Sequence, residues 1–145
     1  MGIRPCPRGP RASRSLGRRV RALLDTSVLI ATGVGPLEGE LAISAVTLAE
    51  LHFGVLVAGE PAVRAERLRR LSVLQRKFDA LPVDDAVAVS YGQLAAAVVA
   101  AGRQPRVRAM DLLIAATAHA HEARLYTRNA ADLVGLDHLL DVVPV

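Results

Sequence analysis

Short apolar runs, spaced apart by longer stretches rich in Ala, Leu and Val, set the tightest limit on what this chain can fold into. Val20–Leu24 (VRALL), Leu41–Ile43, Leu81–Val83 and Arg124–Thr127 read as strands, and Val142–Val143 offers a fifth. Between them the pattern is helical. Ser44 fits an N-cap for a helix reaching about Ala58, and Gly59 and Pro61 separate it from a second helix over about Ala62–Phe78. Asp84 can cap a third, Ala/Val-rich helix that stops at Gly102, a natural left-handed terminator. A fourth spans about Met110–Glu122. Gly33, Gly35, Pro36 and Gly39 mark one loop, and Arg103–Arg108 a basic one. Thr26 and Ser27 can cap whatever follows the first strand. Strands that alternate with helices predict an α/β sandwich built on a small parallel sheet of four to five strands flanked by helices.

Charge divides the chain in two. Residues 1–21 hold seven of the 18 Lys and Arg residues and none of the 14 acids, so the other 124 residues carry 11 basic and 14 acidic groups, a net charge of −3. Residues 1–19 mix Arg, Pro, Gly and Ser without apolar periodicity; they read as a disordered basic extension or a mis-assigned start ahead of a domain over 20–145. Such a segment lacks the apolar stretch of a secretory signal, and a transit peptide or a basic RNA-binding arm is an alternative use for it. The lone Cys6 excludes an intramolecular disulfide, and no apolar run is long enough to span a membrane, so a cytoplasmic protein is expected.

Four acids stand in informative places. Asp25 directly follows the first strand, and in an open parallel sheet ligands bind beyond the carboxyl ends of the strands. As an isolated residue it would be a helix N-cap. Glu50, in TLAELHFGV, has Val46 and Phe53 at i−4 and i+3, so it lies along an apolar helical line, where an ionised carboxylate needs a partner unless it reaches water. Asp111 opens the buried-looking run DLLIAATA; a capping role is the plainer reading. Asp132 follows the fourth strand in TRNAADL, where with Asn129 it could simply form a turn. Together, the four can converge on one sheet edge. Carboxylates so gathered repel one another, and a hard cation such as Mg²⁺, or Mn²⁺ in its place, would relieve the conflict. No His or Cys set competes: His119 and His121 are two apart, and His52 and His138 are isolated, so all four read as structural or surface residues.

The segments LLDTSVLI, TLAELHFGV, RVRAMDLLIAATA and LYTRNAADL resemble, in order and spacing, the four blocks of a VapC-type PIN domain, the ribonuclease toxin of type II toxin–antitoxin pairs. The resemblance covers about residues 20–145. It implies a PIN-like three-layer sandwich and a metal site of Asp25, Glu50, Asp111 and Asp132, with Asp25 and Asp111 the most direct ligands. Thr26, Ser27 and Asn129 would give polar support. It also implies Mg²⁺-dependent hydrolysis of RNA to 5′-phosphate and 3′-hydroxyl ends. Inhibition would come from a VapB-like antitoxin whose C-terminal segment occupies a groove over the acids, to which Leu48, Leu51 and Phe53 could contribute. A homodimer and a toxin–antitoxin hetero-oligomer are further implied. Leu133 stands where relatives often carry Phe, a change in packing, and the Arg-rich start is atypical.

Arg106 and Arg108, with Arg103, are candidates for holding RNA phosphates at the rim. Arg64, Arg67 and Arg70 recur every three residues and read first as a solvated face. Rival functions are a DNA-directed PIN/FEN-like nuclease, for which there is no room for a basic clamp, and a non-catalytic RNA- or protein-binding PIN domain, against which the four intact acids argue. A receiver domain would need paired acids after the first strand and a late Lys; the sole lysine is Lys77.

Overall fold

The computed structural model describes residues 21–145, so the expectations for residues 1–19 and for Val20 lie outside the described residues. Five strands, β1 (Arg21–Leu24), β2 (Glu40–Ser44), β3 (Ala80–Leu81), β4 (Arg124–Thr127) and β5 (Val142–Pro144), form one parallel sheet in the order β3-β2-β1-β4-β5. Helices α1 (Thr26–Ile30), α2 (Ala45–Leu56), α3 (Pro61–Lys77), α4 (Asp85–Ala100) and α5 (Ala109–Ala120) flank it, α3 by packing on α2. Short 3₁₀ turns stand at Pro105–Arg108, within the segment expected to be a loop, and at Ala130–Leu133. None of the described helices is long and apolar enough to cross a membrane.

Strand alternation explains the three layers. Successive side chains point to opposite faces. Leu23 and Leu125 join a core with Leu94, Leu112, Ile114 and the alanines of α5, whereas Ala22, Leu24, Ile43 and Tyr126 join a second core with Val28. Helix α5 buries six of its 12 residues, half of them Ala, which lets it sit close to α4 and the sheet.

The local signals act largely as expected. Ser44 caps α2, accepting from the Val46 N–H at 3.1 Å. Asp84 caps α4, accepting from the Val87 N–H at 3.0 Å. Gly102 takes a φ of +79° as α4 closes, with the Arg103 N–H bonded to the Val98 carbonyl. Two expectations move. The cap of α1 is Asp25 itself, not Thr26 or Ser27, because its carboxylate accepts from the Thr26 N–H at 2.8 Å. The third strand lies at Ala80–Leu81, not Leu81–Val83, since Pro82 has no N–H to extend the ladder.

Candidate active site

The chain leaves β1 for β2 and β3 on one side, then returns to β4 and β5 on the other. Beyond the carboxyl ends of β1 and β4 such a reversal leaves a crevice, the usual ligand position in open α/β sheets. Asp25 sits there. Its N–H bonds to the Tyr126 carbonyl at 3.0 Å, so the edge of β1 is locked to β4.

Asp25 is 8% exposed, and three donors occupy all but one of the roughly four acceptor sites of its carboxylate. One oxygen accepts from the Thr26 N–H; the other accepts from Ser27 Oγ and Thr127 Oγ1, each at 2.8 Å. Three donors hold the carboxylate in one orientation, and hydrogen bonds to a charged group are the stronger kind. Thr127 is a polar group buried at the end of β4, and reading the sequence missed its role. The signal was a hydroxyl where a buried strand end would ordinarily carry an apolar side chain. It also accepts from the Asn129 N–H at 3.0 Å, while the Arg128 N–H bonds to Ser27 Oγ at 3.1 Å. The TRN segment is thereby tied to the loop after β1.

Asp25, Asp111, Thr127, Asn129 and Asp132 line one small hollow with Leu125 and Leu133. Asp111 reaches it from the first turn of α5; the cap position there is Arg108, so Asp111 is not the N-cap, although it stands where an acid favours a helix start. Asp132 comes from the 3₁₀ turn after β4, whose backbone N–H bonds to the Asn129 carbonyl, so the turn reading of this pair is also correct. Glu50 approaches from α2 and accepts from Thr26 Oγ1 at 2.8 Å. It ends its apolar line rather than lying within it: Val46 is buried, but Phe53 is 67% exposed.

The acids feel one another. Burial raises the Glu50 pKa above its ordinary value; the Thr26 hydroxyl opposes this, and the charges of Asp111 and Asp25 add to it. Burial likewise raises Asp111, reinforced by Asp25 and Asp132 and opposed by Arg108. Arg108 contacts Asp132 at 2.6 Å and lies 3.8 Å from Asp111, so this rim arginine stands over the acids themselves. Arg103 and Arg106 are exposed outside the hollow. Arg64 and Arg67 are used within the fold: they donate to the Ala58 carbonyl at 3.1 Å and the Gly54 carbonyl at 2.7 Å, which clasps α3 to the end of α2, while Arg70 pairs with Glu66.

Among the described residues, no three acidic, His or Cys side chains form a ready-made coordination shell. The donor set still fits Mg²⁺. It is oxygen only, it holds carboxylates that disfavour each other's charge, and Mg²⁺ typically binds through one or two carboxylates while keeping several waters.

A parallel sheet with this strand order and acids at its switch point defines the class of the protein, and comparison with known proteins narrows it. The PIN domain family matches residues 22–133. Ribonuclease VapC8 of Mycobacterium tuberculosis is 43% identical over 100 residues, covering 66% of this chain and 88% of the relative. Ribonuclease VapC5 of the same organism is 39% identical over 121 residues, covering 79% and 87%. Among solved structures, VapBC-5 from Mycobacterium tuberculosis, a member of the VapBC family of toxin–antitoxin systems, superposes with a TM-score of 0.75 at 36% identity, covering 87% of this chain and 98% of that one. FitAcB from Neisseria gonorrhoeae superposes at 0.67 with 28% identity, covering 83% and 95%. The chain therefore belongs to the PIN-domain family and, within it, to the VapC-type branch.

Proposed function

We propose that this chain is a metal-dependent endoribonuclease, the toxin of a VapBC-like pair. The observation that carries the reading is the Asp25 carboxylate, held by three donors at the sheet's switch point, with Asp111 and Asp132 lining the same hollow. Kinship with proteins named as ribonucleases supplies the substrate class.

Asp25 and Asp111 are the residues that would hold Mg²⁺ or Mn²⁺ most directly, with Glu50 and Asp132 placed to bind it further or to orient water. When bound, the cation supplies a lowered pKa for an attacking water and polarises the scissile phosphate. Thr26, Ser27 and Thr127 fix the orientation of the acids, so little reorganisation is needed when substrate arrives. Arg108 at the mouth is the side chain able to exchange a carboxylate for a phosphate oxygen, and exposed Arg106 extends that rim. No side-chain nucleophile is required.

A VapB-like antitoxin is the proposed partner, as the solved VapBC relatives are toxin–antitoxin assemblies. Arg108 pairs with Asp132, and an arginine of the partner would compete for the same acid. A homodimer is also proposed.

The test is to incubate the purified protein with total cellular RNA, with and without Mg²⁺, and to map new 5′ ends by sequencing. Discrete Mg²⁺-dependent cuts, reduced by at least about 100-fold in Asp25→Asn and Asp111→Asn at unchanged melting temperature, are expected. Full cleavage by both variants would overturn the assignment.

A further inference from the structure

Of the ion pairs among the described residues, those of Arg108 alone involve acids of the hollow. Arg69 and Arg70 pair with Glu66 on exposed α3, and Arg124 pairs with Asp141 just before β5. Arg108 sets a single nitrogen, Nη1, beside two site carboxylates at once. It lies 2.6 Å from Asp132 Oδ2 and 3.8 Å from Asp111 Oδ2.

The four acids are not held alike. Hydroxyls fix Asp25 and Glu50, through Ser27 and Thr127 for the first and Thr26 for the second. Among the described residues, Arg108 is the one cation paired with Asp111 and Asp132. Its charge offsets the repulsion that Asp25 and Asp132 impose on Asp111. The attachment of Arg108 is light. Its side chain is about half-exposed, and the 3₁₀ turn that delivers it, Pro105–Arg108, buries no residue. At the N-cap position of α5 it makes no side-chain bond to the helix. An ion pair this open to water is weak. A divalent cation carries twice the charge of a guanidinium and seeks the same oxygens, and the two cations repel each other. The long arginine stem then keeps a displaced guanidinium at the mouth of the hollow, where its fork of N–H donors suits a phosphate.

We propose that Arg108 is a displaceable counter-ion, which competes with a divalent cation for the oxygens of Asp132 and Asp111 and, on yielding them, turns to the substrate phosphate. The proposal rests on the metal-dependent ribonuclease reading above. It couples the two ligands of the site: cation and RNA each raise the affinity for the other, by the same factor.

The experiment uses the full chain as wild type, Arg108→Gln, Arg108→Lys and Arg103→Gln. Mn²⁺ alone is titrated into each by calorimetry. Arg108→Gln should bind Mn²⁺ about 3-fold to about 10-fold more tightly than wild type, the weight of one exposed ion pair and its repulsion. Arg108→Lys keeps the charge and should return towards wild type. Arg103→Gln loses the same charge outside the hollow and should stay within about 2-fold. Saturating Mg²⁺ should raise the urea midpoint of Arg108→Gln more than that of wild type, because tighter binding to the folded state stabilises it further. At saturating Mg²⁺, kcat/KM of Arg108→Gln on an RNA with a mapped cut site should nevertheless fall by at least about 5-fold, since the phosphate loses a charged donor. Tighter metal binding together with slower cleavage is the expected result. Unchanged Mn²⁺ affinity, equal gains from Mg²⁺, or unchanged cleavage in Arg108→Gln would overturn the proposal. A gain in Arg103→Gln as large as that in Arg108→Gln would overturn it too, by reducing the effect to net charge. A wild-type protein that binds no Mn²⁺ and cuts no RNA would reject the metal-dependent reading itself.

Discussion

Helices α5 and α3 show two ways of using a helix. Six of the 12 residues of α5 are buried, packed between the sheet and α4, and its first turn delivers Asp111 to the site. Of the 17 residues of α3 only Leu71 is buried; the helix leans on α2 and is fastened there by Arg64 and Arg67. The acids thus rest on the best-packed part of the molecule at one end and meet, through Glu50 and Phe53, an arm that leaves Leu56, Val57, Leu68 and Val73 in water. Such a division suits a site whose carboxylates must not move and whose flank must meet something else. Exposed apolar side chains clustered on one arm are a common mark of a recognition surface.

The sharpest test of this division is stability. Ile114→Ala in α5 should cost about 2–5 kcal/mol, as for a fully buried aliphatic side chain. Leu68→Ala in α3 should stay within about 0.5 kcal/mol. Urea titrations of both proteins measure the contrast, and equal losses would show that the arm is as integral to the core as α5. Thr127→Val comes next. It removes one of three donors to Asp25 and should cost about 1–3 kcal/mol while slowing RNA cleavage. A protein of wild-type stability and activity would show that Ser27 and the Thr26 N–H suffice.

A smaller effect concerns the far end of α5. Glu122 adopts a φ of +52° there, with the Ala123 N–H bonded to the Ala118 carbonyl, the position that Gly102 fills at the end of α4. Left-handed backbone is strained for a residue with a Cβ. Glu122→Gly should therefore raise stability by about 0.5–1 kcal/mol, measured by thermal melting, and a decrease would show that the Glu side chain earns its place by other contacts.

The most gradual effect is in pH. Asp111 titrates above its ordinary value of 3.8 in the folded protein. The folded state then holds the proton to higher pH than the unfolded state, so this residue's contribution to stability falls as pH rises from about that value through its raised one. The advantage of metal-free Asp111→Asn over wild type should grow across that window and then level off. An advantage that shrank with rising pH would contradict the direction of the shift. If Mg²⁺ binds as proposed, it favours the ionised acids, and the stabilisation it gives the wild type should increase with pH.

Much of this was legible along the chain. Alternating runs gave the strands and helices, Ser44, Asp84 and Gly102 marked their ends, and the places of Asp25, Glu50, Asp111 and Asp132 relative to those elements pointed to one edge. These are local signals: a cap, a left-handed glycine or an apolar period acts within a few residues, so the linear order contains it. The strand order, the donation from Thr127 to Asp25, the reach of Arg108 to Asp132, the clasp of Arg64 and Arg67 on α2 and the bareness of Phe53 all depend on segments up to 102 residues apart meeting in space. A hydroxyl or a guanidinium can serve many partners, and a ring three residues from Glu50 could equally have turned inward. Only the packing of the sheet and its helices decided which partner each one met.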